Sequence, residues 1–182
     1  MTQPLHADDP TGPIVVGVDG SRFSRSALRW AIREGQRTDT LVVALMCWRL
    51  DPVTGLGHPT LAGLPAHPFQ APEARFQQLL DDTVHEVVAE TGGPMPITRV
   101  TPGSAAENLV DASREAWLLV LGSHGHGRLF DAVVGSVAEH CVRHAVCPVV
   151  IIPAGLAETE ADRPMLTVPA GFLPDRYGMG PL

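Results

Sequence analysis

The chain has 182 residues, of which 45% are hydrophobic and 18% charged, and its formal net charge at pH 7 is -7. This length suits one domain with some residues left over, so two full domains are not expected. The sequence has no run of eighteen apolar residues, and its first ten residues are polar and acidic, so we expect neither a membrane span nor a secretion signal. The negative charge disfavours nucleic acid as a partner, because its phosphates would be repelled.

The 13 basic residues are all arginines, because the chain contains no lysine. Chemistry that needs a lysine, such as a Schiff base or the phosphate contact of a P-loop, is thereby excluded. The three cysteines, Cys47, Cys141 and Cys147, form no Cys-x-x-Cys pair and lie in apolar or helical stretches. This usage is typical of a reducing compartment, so the predicted location is cytoplasmic.

Four near-continuous apolar runs predict strands that are covered on both faces, as in a parallel sheet. A fifth, weaker strand is predicted from Ile97 to Thr101, which is β-branched but only half apolar. The four apolar runs are Ile14 to Val18, Leu41 to Cys47, Leu118 to Leu121, and Val149 to Ile152.

Helical patterns separate the predicted strands. The first helix is predicted over Ser24 to Arg37, and a second begins near Pro72 with apolar residues at helical spacing. Ser104 and Glu107 match a capping box that opens a third helix, and a fourth follows Gly135. This alternation predicts a three-layer, doubly wound α/β fold with a parallel five-stranded sheet and right-handed crossovers.

The strand and helix pattern predicts one domain over residues 12–153. Two segments flank it, an N-terminal tail over 1–11 and a Pro/Gly-rich C-terminal extension over 154–182. Between the second strand and the second helix, residues 49–72 form an insert rich in proline and glycine, for which a lid is favoured over a disordered loop.

Ligands of an open parallel sheet bind beyond the carboxyl ends of its strands, where the strand order reverses. Asp19, Gly20 and Ser21 follow the first strand, and the segment 122–127, Gly-Ser-His-Gly-His-Gly, follows the fourth. Gly135 and Ser136 then open a helix, whose N-terminus favours an anion. Glycine amides and a helix N-terminus together form a plausible phosphate cradle without a lysine, although the glycines could serve as turn residues alone.

The spacing Gly122-x2-Gly125-x9-Gly135-Ser136 resembles the ATP-binding motif of universal stress proteins. The segment from Val16 to Ser21, together with Ser24 and Ala27, is similar to the opening strand and helix of that family, and the Cys-Pro-Val sequence at 147–149 matches its last strand. The resemblance covers about residues 12–153. Two residues depart from the family pattern, Trp117 where an acidic residue is frequent and Arg128 where a small residue is frequent.

The resemblance implies an adenine nucleotide across the strand ends, namely ATP with or without Mg²⁺. Asp19 would contact the ribose and adenine region, and the backbone near Cys47 would contact the adenine edge. The phosphates would be bound by Gly122, Gly125, Gly135 and Ser136. Further candidates for binding are Gly20, Ser123, His124, Gly127 and Arg128.

Three patterns carry simpler interpretations. Asp19 has an alternative role as a cap of the first helix, through the amides of Ser21 or Arg22. His140 and His144 are spaced as metal ligands, but no third ligand is evident nearby, so no metal site is predicted. The arginines at 22, 25, 29, 33 and 37 form a stripe that is interpreted as a solvated helix face rather than a nucleic-acid surface.

The predicted function is ATP binding in stress response or signalling, with slow or no hydrolysis and no catalytic residue assigned, because the site lacks a lysine and a carboxylate pair for Mg²⁺. The alternatives are an adenine-nucleotide hydrolase or nucleotidyl transferase of the same wider fold, and a nucleotide-free interaction protein. The expected strand order, 3-2-1-4-5, leaves Val149–Ile152 at an edge. Pairing of this strand with that of a second copy predicts a homodimer.

Overall fold

The computed structural model describes residues 12–49, 72–124 and 134–153. The predicted tails and most of the insert lie outside these ranges, so they stay predictions. Within the ranges, five strands and four helices alternate along the chain, in the order β1 (Ile14–Gly17), α1 (Arg22–Thr38), β2 (Val42–Trp48), α2 (Pro72–Thr91), β3 (Ile97–Pro102), α3 (Ala105–Ala112), β4 (Leu118–Gly122), α4 (Ser136–His144) and β5 (Val149–Ile152).

The five strands form one sheet in the order β3-β2-β1-β4-β5, and every neighbouring pair is parallel. This arrangement confirms the predicted doubly wound fold. The sequence order reverses at β1, because β2 pairs with one of its edges and β4 with the other. The carboxyl ends of β1 and β4 therefore flank the switch point at which ligands bind in this class of fold.

Each face of the sheet carries its own hydrophobic core. On one face, α1 and α2 pack through buried residues that include Leu28, Ile32, Leu80 and Val84. On the other face, α3 and α4 contribute Leu109, Ala138 and Cys141. Because successive strand residues point to opposite faces, covering both faces requires apolar residues at every position of the central strands.

β3 is the exception, and its place in the sheet gives the reason. It is an edge strand that pairs with β2 alone among the described strands, and Ile97 is 52% exposed. An edge strand that is half exposed needs fewer apolar residues, which accounts for its weak sequence signal.

Part of the arginine stripe on α1 contacts α2. Arg25 forms an ion pair with Glu86 of α2, and Arg29 forms one with Glu90. The interpretation of the stripe as a solvated face was therefore incomplete, because α2 neutralises two of its charges. Both pairs stay partly exposed, so each contributes only about 0.2–1 kcal/mol to stability.

The starts of α1 and α3 differ in their capping. Ser21 is the N-cap of α1, and its Oγ accepts a hydrogen bond from the amide of Ser24 at 3.2 Å. Ser104 occupies the N-cap position of α3, as predicted, but its side chain makes no capping hydrogen bond. The predicted capping box therefore located the start of α3 correctly, but its prediction of a capping hydrogen bond to the Ser104 side chain was wrong. Glu107 is exposed, so water can satisfy the amides of this first turn.

Among the described helices, none combines the length and the apolar character that crossing a membrane requires.

We expect Leu80→Ala to lower the free energy of unfolding by about 2–5 kcal/mol, because Leu80 is fully buried between α2 and the sheet and its loss leaves a cavity. Leu41→Ala is the matched control, since Leu41 is 69% exposed and its removal should change stability by no more than about 0.5 kcal/mol. Urea unfolding of both variants measures the difference, and equal losses would contradict the assignment of this core.

Candidate functional site

The residues predicted to contact a nucleotide lie at the carboxyl edge of the sheet. Gly17 of β1 is in register with Leu45 of β2. Asp19 and Cys47 each come two residues later, so they lie at about the same level, Asp19 just after β1 and Cys47 near the end of β2. Ser123 and His124 follow β4 on the other side of β1. The fold thus brings Asp19, Cys47, Ser123 and His124 to one edge.

Asp19 shapes the turn that leads from β1 into α1. Its Oδ1 accepts a hydrogen bond from the amide of Ser21 at 2.9 Å, and its own amide donates to Ser24 Oγ at 3.3 Å. Gly20, between them, has a φ of 82°, a left-handed conformation that favours glycine. The predicted contact of Asp19 with the Ser21 amide is confirmed, although Ser21 itself is the N-cap. Contact of Asp19 with a ribose stays a prediction.

Gly122 ends β4 beneath the first turn of α1. A Cβ atom at this position would lie 2.7 Å from the backbone carbonyl carbon of Phe23 and 2.8 Å from its oxygen. Such distances are too short for non-bonded atoms, so α1 could not approach β4 this closely if residue 122 carried a side chain. Packing alone therefore requires a glycine here, while contact of Gly122 with a phosphate stays a prediction.

Gly135 and Ser136 form the start of α4, which spans nine residues. Gly135 is the N-cap, and its amide donates to the carbonyl oxygen of Ser123 at 2.7 Å. The amide of Ser123 in turn donates to the carbonyl oxygen of Ile152 at 2.9 Å, which connects this junction to β5. Amides in the first turn of a helix lack intrahelical partners and carry partial positive charge, so this end of α4 suits an anion.

Asn108 of α3 contacts Cys47 near the carboxyl end of β2. The Nδ2 of Asn108 lies 3.6 Å from Cys47 Sγ and donates to the carbonyl oxygen of Pro102 at 3.0 Å. Burial raises the pKa of the Cys47 thiol, and the hydrogen bond from Asn108 offsets part of this shift. The thiol is therefore neutral at physiological pH and is no nucleophile. The sequence contained no motif that could have pointed to Asn108.

The other two cysteines are also unsuited to nucleophilic chemistry. Burial, with smaller contributions from the neighbouring Cys47 and Cys147 thiols, raises the pKa of Cys141 to about 11. Burial likewise raises the pKa of Cys147. These thiols behave as small apolar groups, as the sequence predicted.

His124 and Phe23 connect the end of β4 with the first turn of α1. Their rings lie 5.4 Å apart, and His124 Nδ1 is 3.1 Å from Ser123 Oγ. The sequence reasoning did not single out Phe23, because its neighbour His124 is about a hundred positions away along the chain. Three predicted site residues, Gly125, Gly127 and Arg128, lie outside the described residues.

The two histidines of α4 contact each other. The rings of His140 and His144 stack with their centroids 4.3 Å apart, and His144 Nδ1 lies 2.9 Å from the carbonyl oxygen of His140. A carbonyl only accepts, so this Nδ1 donates its proton and the lone pair of the neutral ring lies on Nε2. Within residues 12–49, 72–124 and 134–153, no group of three or more His, Cys, Asp or Glu side chains is arranged to hold a metal ion.

Comparison with known families decides the classification of the fold. The model of the universal stress protein family matches residues 11–153. The chain belongs to the universal stress protein family. The family match does not include residues 1–10 and 154–182.

Two curated relatives from mycobacteria are longer than this chain. Universal stress protein Rv2623 from Mycobacterium tuberculosis is 32% identical over 142 residues, which cover 76% of this chain and 46% of the relative. A universal stress protein from Mycolicibacterium smegmatis is 31% identical over 150 residues, covering 76% of this chain and 47% of its own length. The chain thus spans about half the length of these relatives.

Solved structures share the fold at lower identity. Universal stress protein UspA from Lactobacillus plantarum has a TM-score of 0.55 and 24% identity, covering 80% of this chain and 99% of its own. A universal stress protein in complex with cAMP has a TM-score of 0.55 and 18% identity, over 79% and 98% of the two chains. One from Archaeoglobus fulgidus in complex with dAMP has a TM-score of 0.50 and 21% identity, over 79% and 99%.

We expect Gly122→Ala to destabilise the nucleotide-free protein by about 1–3 kcal/mol, because the added methyl group would overlap the backbone of Phe23 and push α1 away from β4. Thermal unfolding of the protein, freed of nucleotide, measures this loss. A variant with wild-type stability that merely loses ATP binding would show that the glycine serves the ligand rather than the packing.

Proposed function

We propose that this universal stress protein binds ATP at the carboxyl edge of its sheet and acts in stress response or signalling in the cytoplasm. The observation that carries the proposal is the junction of β4 and α4, where the Gly135 amide bonds to Ser123 and the first turn of α4 begins at Ser136. This junction lies beside β1, at the switch point of the sheet. The complexes of two structural neighbours with cAMP and dAMP support an adenine nucleotide as the ligand.

The charges of the site suggest how ATP would lie. The phosphates would be bound by the first turn of α4, whose N-terminus carries partial positive charge, and by the glycine amides of the motif at Gly122 and Gly125. The carboxylate of Asp19 would repel a phosphate, so it suits the donors of the sugar or base, and the backbone near Cys47 suits the adenine edge. Mg²⁺, where present, would be carried by the phosphates of ATP.

The described residues favour binding over catalysis. Phosphoryl transfer requires a positioned base and cations that neutralise charge in the transition state. The chain has no lysine, and burial keeps its three thiols neutral. Hydrolysis would therefore be slow or absent. The alternative, a hydrolase or nucleotidyl transferase, predicts turnover in the ordinary enzymatic range of roughly 1–10³ per second, which a steady-state phosphate-release assay would detect.

We also propose that two copies pair through β5. This strand has β4 on one side, and no strand of the described ranges covers its other edge. Val142 and Val146, on α4 and in the turn before β5, are 59% and 64% exposed. An open strand edge and exposed apolar side chains are both surfaces that a second copy would cover. The pairing would be symmetric, with each β5 lying against the other.

We expect Asp19→Asn to weaken the binding of ATP, because the variant removes the carboxylate that is proposed to contact the sugar or base. The binding of inorganic triphosphate should be equal or stronger, because the variant removes a negative charge and keeps the shape of the turn. Ser136→Ala should weaken the binding of both ligands by about 1–3 kcal/mol, the range for a hydrogen bond to a charged group. Calorimetric titration of the two variants with both ligands measures this contrast.

The wild type is the reference for these titrations. Heat denaturation of the purified protein, followed by absorbance at 260 nm of the released material, shows whether it carries a nucleotide. A wild type that neither carries nor binds an adenine nucleotide would overturn the proposed function in favour of a nucleotide-free interaction protein.

We expect the protein to sediment at micromolar concentration with twice its chain mass of 19.4 kDa. Replacing Val142 and Val146 by Glu should shift it toward the monomer, because the exposed valines would then bring charge into the interface. Leu41→Glu is the matched control, as Leu41 is equally exposed but precedes β2. A wild type that sediments only as a monomer would overturn the proposed pairing.

A further inference from the structure

Arg22 occupies an electrostatically unfavourable position. It is the first residue of α1, directly after the Asp19–Ser21 turn, and the first turn of this helix contains no acidic residue. The N-terminus of a helix carries partial positive charge, so acidic side chains are favoured there and a cation is disfavoured. The location of Arg22 therefore calls for a compensating negative charge.

Asp19, the nearest carboxylate in the sequence, accepts a hydrogen bond from the Ser21 amide and forms no ion pair with Arg22. Three other arginines of α1 form ion pairs with carboxylates. The pairs are Arg25 with Glu86, Arg29 with Glu90 and Arg37 with Glu34. Arg22 has no ion pair in residues 12–49, 72–124 and 134–153. Its guanidinium carbon instead lies 4.8 Å from the centre of the Phe23 ring. This contact orients the guanidinium but leaves its charge unneutralised.

Phe23 links Arg22 to the proposed phosphate site. The Phe23 ring contacts the ring of His124, and His124 follows Ser123, whose carbonyl oxygen accepts the amide of Gly135 at the N-cap of α4. The guanidinium thus lies on the α1 side of the same junction whose α4 side is proposed to hold the phosphates.

We propose that Arg22 binds the phosphate chain of the nucleotide and makes the site prefer nucleotides with more phosphates. This inference rests on the proposed function. A guanidinium presents a planar set of donors that matches phosphate oxygens, and the chain has no lysine that could take this role. The ligand anion would give Arg22 the ion-pair partner that it lacks among the described residues.

The test compares adenosine, AMP and ATP on the full chain with Arg22→Gln. We expect ATP to bind about tenfold more weakly, AMP to lose less, and adenosine to bind as in the wild type, because the lost contacts are to charged phosphate oxygens. Arg37→Gln is the matched control, since it removes the same charge at the far end of α1. Arg22→Lys should restore part of the ATP affinity, because it retains the charge but lacks the planar donor set.

The outcomes separate this inference from the proposed function. If the wild type binds no adenine nucleotide, the proposed function fails. If the wild type binds ATP and Arg22→Gln matches Arg37→Gln with all three ligands, the function stands and the role of Arg22 is overturned. An equal loss for adenosine and ATP would also overturn it, because a phosphate contact cannot affect a ligand without phosphate.

Discussion

The close approach of α1 to β4 at Gly122 fixes the geometry of the carboxyl edge. Because residue 122 has no side chain, the backbone of Phe23 can sit directly on the end of β4. That contact places the Phe23 ring against His124 and brings the start of α1 to the point where strand order reverses. The turn at Asp19 and the first residue of α1, Arg22, directly precede this contact in the chain, and the junction with α4 begins at Ser123, directly after Gly122.

The residues that lead into α1 follow the usual rules of helix initiation except at Arg22. The turn at Gly20 adopts a left-handed φ of 82°, which the Asp19 carboxylate stabilises through the Ser21 amide. The Ser21 cap follows the usual rules of helix initiation, whereas Arg22 breaks the rule that favours acidic residues in a first turn. Departures of this kind concentrate where a protein meets a ligand, since stability alone would not retain them.

The sequence predicts the sheet far better than it predicts the site contacts. Continuous apolar runs such as Leu118–Leu121 exist because both faces of a central strand are covered, so the pattern reports the fold directly. β3 shows the limit of that signal, because exposure at the edge relaxes the need for apolar residues.

The contacts that organise the edge join residues far apart in the chain. Phe23 meets Gly122 and His124, and Asn108 meets Cys47, through packing that no local pattern encodes. The ion pairs from Arg25 and Arg29 to α2 share one helical spacing, but only the docked helices show which carboxylates they meet. Ser104 illustrates the reverse case, since the motif located the helix start correctly and misjudged its hydrogen bonds.

The overall charge of -7 constrains how such a protein can hold a polyanion. Its long-range field repels ATP, so attraction must come from groups within about a Debye length, roughly 8 Å at physiological salt. A chain without lysine can draw on helix N-termini, glycine amides and arginines for this purpose. Arg25, Arg29 and Arg37 of α1 already have carboxylate partners, so Arg22 is the arginine of this helix that we propose to act together with the first turn of α4.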